Sequence, residues 1–140
     1  MTNLEIFENT LIKCRNAVKC CVDELSNLND VAVSVSRSLA RVNELKLAMN
    51  TLRQHAAVAD DPCKDLLASS EKTLSYCIED YELNQSVFGE VKARAQVSFE
   101  LAFTCLNALQ SLCLNDQNRA DVDALMAELS ACQTALGDCQ

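Results

Sequence analysis

The chain is poor in everything that interrupts or bends a backbone. Its 140 residues include two glycines, one proline and no tryptophan. Strand-rich folds need turn residues about every 8–12 positions, so an all-β domain is excluded. No run of ~18 apolar residues exists to span a bilayer, and no membrane insertion is expected. Glu5 and Glu8 stand where a secretory signal would be basic and then apolar. No signal is read there, and a cytoplasmic, reducing location is expected. Positive charge is also scarce: twelve Lys and Arg face twenty Asp and Glu, for a net charge of −8. Such a surface repels phosphate backbones, which argues against nucleic acid as a partner.

The usual chemical motifs are missing as well. Two glycines cannot build a phosphate-cradling loop, and neither a GxGxxG nor a P-loop occurs. Carboxylate-bridged di-metal bundles need Glu-x-x-His pairs, and none is present. His55 is the only histidine. It stands beside Gln54 and Ala56, with no nucleophile or carboxylate adjacent, and reads as a surface or helix-end residue. No catalytic, cofactor-binding or metal-ligating residue is assigned, no cofactor is expected, and the chain is not expected to be an enzyme.

What is abundant is helical periodicity. Nearly half the residues are apolar, too many for a disordered acidic tail. Thr2-Asn3-Leu4-Glu5 reads as a capping box, in which the Thr hydroxyl and the Glu carboxylate each take an orphan amide. From there Leu4, Leu11, Val18 and Leu25 alternate with Phe7, Cys14, Cys21 and Leu28 on one stripe. The phase continues through Ala32, Val35, Leu39 and Val42, then shifts to Leu45, Met49, Leu52 and Ala56. Asn27–Asp30 is the single poor helix former in this stretch. Residues 3–58 are thus one helix of ~80 Å, at 1.5 Å per residue, or two helices broken near Asn29.

Asp60-Asp61-Pro62 is a stop and restart, with Asp61 as cap and Pro62 at the first helical position. A second seam runs over 62–114 through Leu67, Ser70, Leu74, Cys77, Tyr81, Asn84, Phe88, Val91, Ala95, Ser98, Ala102, Cys105, Leu109 and Leu112. Gly89 weakens it locally. Ser70, Asn84 and Ser98 are polar seam positions of the kind that fix register. Asn115–Asn118 reads as a turn. A third helix over 119–138 carries Val122, Leu125, Leu129, Cys132, Leu136 and Cys139 on its seam.

The fold expected is all-α: one domain over residues 1–140, a long antiparallel helical hairpin with a third, shorter helix. A compact four- or five-helix bundle is the alternative if the long helices break near Asn29 and Gly89. In the hairpin, facing positions sum to roughly 121 in a heptad-paired register. That sets Glu79, Asp80 and Glu82 level with Arg37 and Arg41, Lys92 level with Asp30, and Asn27–Asp30 level with Phe88–Glu90. Residues 1–58 hold seven basic and six acidic residues, while residues 59–140 hold five and fourteen. Val97–Leu114 is apolar on almost every face, as in a helix buried on several sides. Its Phe99, Phe103 and Leu106 face is set to meet the third helix, and any surplus apolar face is open to another subunit.

Nine cysteines complete the composition. Cys14, Cys21, Cys77, Cys105, Cys132 and Cys139 fall on the seams, where a thiol serves as a small apolar residue. Cys20, Cys63 and Cys113 lie off them. The hairpin gathers most of these thiols toward one end. A thiol-lined bundle holding Cu(I) or Zn is one alternative reading, but no C-x-x-C or C-x-x-x-C spacing occurs. A secreted effector or inhibitor stapled by disulfides is another. Against it, Cys132 and Cys139 fall about one helical turn from register with Cys105 and Cys113. The function expected is a non-enzymatic protein-interaction or assembly module, with a protein partner or a second copy. Its expected faces are apolar (Phe99, Phe103, Leu106) and acidic (Glu79, Asp80, Glu82).

Overall fold

The chain enters its first helix through the expected capping box. The Glu5 amide donates to Thr2 Oγ1 at 3.1 Å, and the Thr2 amide donates back to Glu5 Oε2 at 3.4 Å. The computed structural model describes residues 2–55 and 61–138. They form three helices and no strand: α1 (Asn3–His55), α2 (Asp61–Gln110) and α3 (Asp116–Asp138). The protein is an all-α helical hairpin with a shorter third helix. Asp61 opens α2 and Pro62 sits in its first turn, where a missing N–H breaks no helical bond. Ala56, Cys139 and the cap assigned to the Asp61 side chain lie outside the described residues.

Both long helices run unbroken through their weak points, so the four- or five-helix alternative is not adopted. Asn27, Asn29 and Asp30 are exposed, while Leu25 before them and Leu28 among them are buried. Poor helix formers cost only about 0.7 kcal/mol each, and burial of an apolar face outweighs that. The contacts nevertheless divide at these positions. One compact unit joins the chain up to Asn29 with Glu90 onward; the other is Asp30–Gly89. A Cβ built at Gly89 meets nothing within 4 Å. Gly89→Ala is therefore expected to stabilise the protein by about 0.5–1 kcal/mol, seen as a higher urea midpoint with an unchanged m-value. A lower midpoint would show that the glycine is needed as a bend.

In the Asp30–Gly89 unit two helix segments pair along the expected seams. Val42 and Met49 are buried on α1, and Leu67, Leu74, Cys77, Tyr81 and Phe88 are half-buried on α2. Arg41 reaches Asp80 at 3.9 Å and Arg53 reaches Glu71 at 3.5 Å. The first pair matches the register read from the sequence. Both are exposed pairs worth about 0–1 kcal/mol, so they select register more than they stabilise. One seam residue differs: Leu39 is 39% exposed and Ser38 is 1% exposed. The helical repeat drifts against a strict heptad, and serine tolerates the position because its hydroxyl donates to Ser34 O at 3.0 Å and Val35 O at 2.9 Å.

The other unit is a three-helix bundle. Its core includes Phe7, Leu11, Cys14, Val18, Cys21 and Leu28 of α1, Val91, Ala95, Ala102, Leu106 and Leu109 of α2, and Val122, Leu125, Leu129 and Cys132 of α3. Leu4 does not join this seam. It is exposed at the rim of an open groove of about 500 Å³, shared with Phe7, Leu11, Asn115 and Asn118. The third helix also starts earlier than the sequence suggested. Asn115 Oδ1 accepts the Asn118 amide at 2.9 Å, and Asn118 Oδ1 accepts the Leu114 amide at 3.1 Å. The polar run read as a turn is thus a cap and the first turn of α3: Asn115 satisfies an amide that helix initiation leaves free, and Asn118 reaches back to the amide of Leu114 before the helix. α2 correspondingly ends at Gln110 rather than at residue 114, closing through the Leu112 amide on Leu109 O at 3.0 Å.

Candidate functional site: paired thiols and open apolar faces

Two cysteine pairs lie in the three-helix bundle. Cys14 and Cys21 stand one heptad apart on α1 and are both fully buried. The Cys14 thiol interacts electrostatically with Cys105 of α2, and the Cys21 thiol with Cys132 of α3. Burial pushes the Cys14 thiol up from 9.0 to about 11, and the charge and hydrogen bond of Cys105 add to the rise. Burial likewise pushes Cys21 up to about 12, reinforced by Cys132. An apolar surrounding penalises the thiolate, and a second thiol in contact cannot ionise alongside it. Cys14, Cys20, Cys21, Cys77, Cys105, Cys113 and Cys132 carry free thiols.

The gathering of thiols toward one end holds: Cys14, Cys20, Cys21, Cys105, Cys113 and Cys132 all belong to this bundle. The pairings themselves escaped the sequence reading. The hairpin register sets Cys132 against α2, whereas its neighbour Cys21 lies on α1. The missing piece is the course of α3. Grooves join residues 4–15 to residues 115–121 and residues 22–29 to residues 128–132, so α3 runs in the same direction as α1. Of the off-seam thiols, Cys20 is exposed, and Cys63 and Cys113 are half-buried. Cys113 Sγ lies 3.8 Å from Leu109 O.

A cavity of about 580 Å³ opens between α1 and the end of α3, lined by Val22, Leu25, Ser26, Glu128, Ala131 and Cys132. Cys132, itself 4% exposed, lies at the floor of this groove, which is open to solvent. On the same unit, Glu24 reaches Arg94 Nε at 4.0 Å, and its Oε2 is buried with no hydrogen-bond partner.

The expected interaction residues separate into different environments. Leu106 is fully buried, which places it in the bundle core rather than on a face open to a partner. Phe99 and Phe103 stack with ring centroids 6.1 Å apart and share a small cavity with Met126 and Leu129 of α3. Their face meets the third helix. Phe103 nevertheless stays 43% exposed, and Val97 and Leu101 on the same stretch of α2 are 64% and 59% exposed. Glu79, Asp80 and Glu82 are exposed on the Asp30–Gly89 unit, with Asp80 paired to Arg41. His55 is exposed at the end of α1.

Among the described residues no three of His, Cys, Asp or Glu come together as a metal site. No described helix is long and apolar enough to cross a membrane. No family model matches the chain, nor does any curated protein or solved structure.

Proposed function

We propose that the chain is a non-enzymatic assembly module that binds the apolar face of a protein partner's helix along the outward side of α2. The observation that carries this reading is the double-sided character of that helix. Ala95, Ala102, Leu106 and Leu109 are buried on one side, and Val97 and Leu101, one turn apart, remain open on another. A surface helix with a single partner is polar on its far side; one that is apolar there has a second surface to cover. Over Val97–Leu114 the only charged side chain is Glu100, so an apolar helix can approach without desolvating many ions. The acidic exterior of the later part of the chain favours a basic rim on that partner.

The test uses the double variant Val97→Glu/Leu101→Glu. Both sites are exposed, so helicity and thermal midpoint should stay within about 0.5 kcal/mol of the parent stability. A partner recovered by the parent chain should be lost by at least tenfold in affinity, since charge is placed where apolar contact is needed. Native mass across concentration reports whether that partner is a second copy. Unchanged association in both measurements would remove the face from consideration.

A further inference from the structure

A second stripe on α1 carries an inference independent of the α2 face. We propose that the chain self-associates through this stripe, which pairs antiparallel with the same stripe of a second copy.

Within the Asp30–Gly89 unit, α1 turns one stripe toward α2, and Ser38, Val42 and Met49 are buried there. The other stripe has the same periodicity. Val33, Ser36, Ala40, Asn43, Leu47 and Asn50 follow one another at alternating steps of three and four residues, the spacing of a heptad core. All six are exposed. Val33 is 49% and Leu47 is 68% exposed. None of the six is charged, in a chain whose net charge is −8. Two copies can therefore meet along this stripe without setting like charges against each other.

The charges beside the stripe decide its occupant and direction. Arg37 and Glu44 border it on one side, one heptad apart. Neither joins an ion pair among the described residues. Consider an antiparallel pair in which facing core positions sum to roughly 83. Arg37 of each copy then lies beside Glu44 of the other, and two-fold symmetry makes the pair twice. The same register sets Leu47 against Ser36 and Asn43 against Ala40, so each larger side chain meets a small one. A shift of one heptad either way sets Arg37 or Glu44 against its own kind. A parallel pair sets Arg37 beside Ala32 and Glu44 beside Leu39, and neither charge finds a partner. A two-fold contact uses one patch twice, and this patch complements itself in both charge and volume. It spans about 26 Å at 1.5 Å per residue. So short a contact makes a weak dimer that forms with rising concentration.

Sedimentation equilibrium of the reduced full chain at low salt, from about 5 to about 500 micromolar, tests this. The parent should pass from monomer to dimer. Ala40→Glu changes an exposed position, so its helical circular dichroism should be kept while the dissociation constant rises about tenfold or more. Arg37→Glu and Glu44→Arg should each weaken the dimer several-fold. An equimolar mixture of these two variants should restore it, since every flanking pair in the mixed dimer is again of opposite sign. A monomer at all concentrations would overturn the proposal, as would a dimer indifferent to Ala40→Glu or single reversals that mixing fails to rescue. Loss of the dimer in Val97→Glu/Leu101→Glu, with Ala40→Glu still dimeric, would assign association to the α2 face instead.

Discussion

Leu106→Ala is expected to destabilise the isolated protein by about 2–5 kcal/mol, a fall in melting temperature of roughly 10 °C. Leu106 has no exposed surface and sits in the interior of the three-helix bundle, on the same side of α2 as Ala102 and Leu109. Truncation removes its transfer free energy and leaves a cavity that packed neighbours fill only in part. Leu101, five residues earlier on the same helix, is 59% exposed, and Leu101→Ala should change stability by no more than about 0.5 kcal/mol. Urea midpoints of the two variants make the comparison direct. Equal losses would mean that the apolar sides of α2 are wrongly assigned to core and surface.

Alkaline pH is expected to strip away stability that the paired thiols hold at neutrality. In the unfolded chain these thiols titrate at their ordinary value of 9.0, whereas in the fold Cys14 and Cys21 titrate at about 11 and about 12. The unfolded state therefore loses protons first. The contribution is fully present below pH 9 and drains as pH rises through 11 and 12. At ~1.4 kcal/mol per pKa unit, the two groups together amount to several kcal/mol. Urea unfolding under reductant between pH 8 and 11 measures the slope. Cys14→Ala/Cys21→Ala should fall less steeply, since lysines and tyrosines titrate alike in both proteins. Parallel slopes would rule out the linkage.

Much of this fold was legible because heptad spacing states directly which side chains share a stripe. Val91, Ala95, Ala102 and Leu109 are buried where the spacing placed them, and Arg41 faces Asp80 as the hairpin register required. The misses have local causes. Ser38 replaces Leu39 because a helix of 3.6 residues per turn drifts across a heptad stripe, and a serine can satisfy its hydroxyl on its own backbone. Asn115–Asn118 read as a turn because asparagine favours turns and helix caps for the same reason: its side chain competes for backbone amides. The candidate site was less legible. The thiols on the seams were identified as packing residues, which they are, but their pairing depends on which neighbour each seam meets.

The sequence by itself determined that this chain is helical, where its helices start and stop to within a few residues, and which stripe of each is apolar. Those are properties of short-range spacing and of the scarcity of glycine and proline. Only the tertiary structure decided that α1 and α2 continue through Asn29 and Gly89, because burial of Leu25 and Leu28 outweighs a small propensity cost. It alone decided that α3 lies along α1, which sets Cys132 against Cys21 and opens the cavity beside it. The direction in which a third helix returns is a long-range choice, made by the fit of whole faces, and no local pattern encodes it.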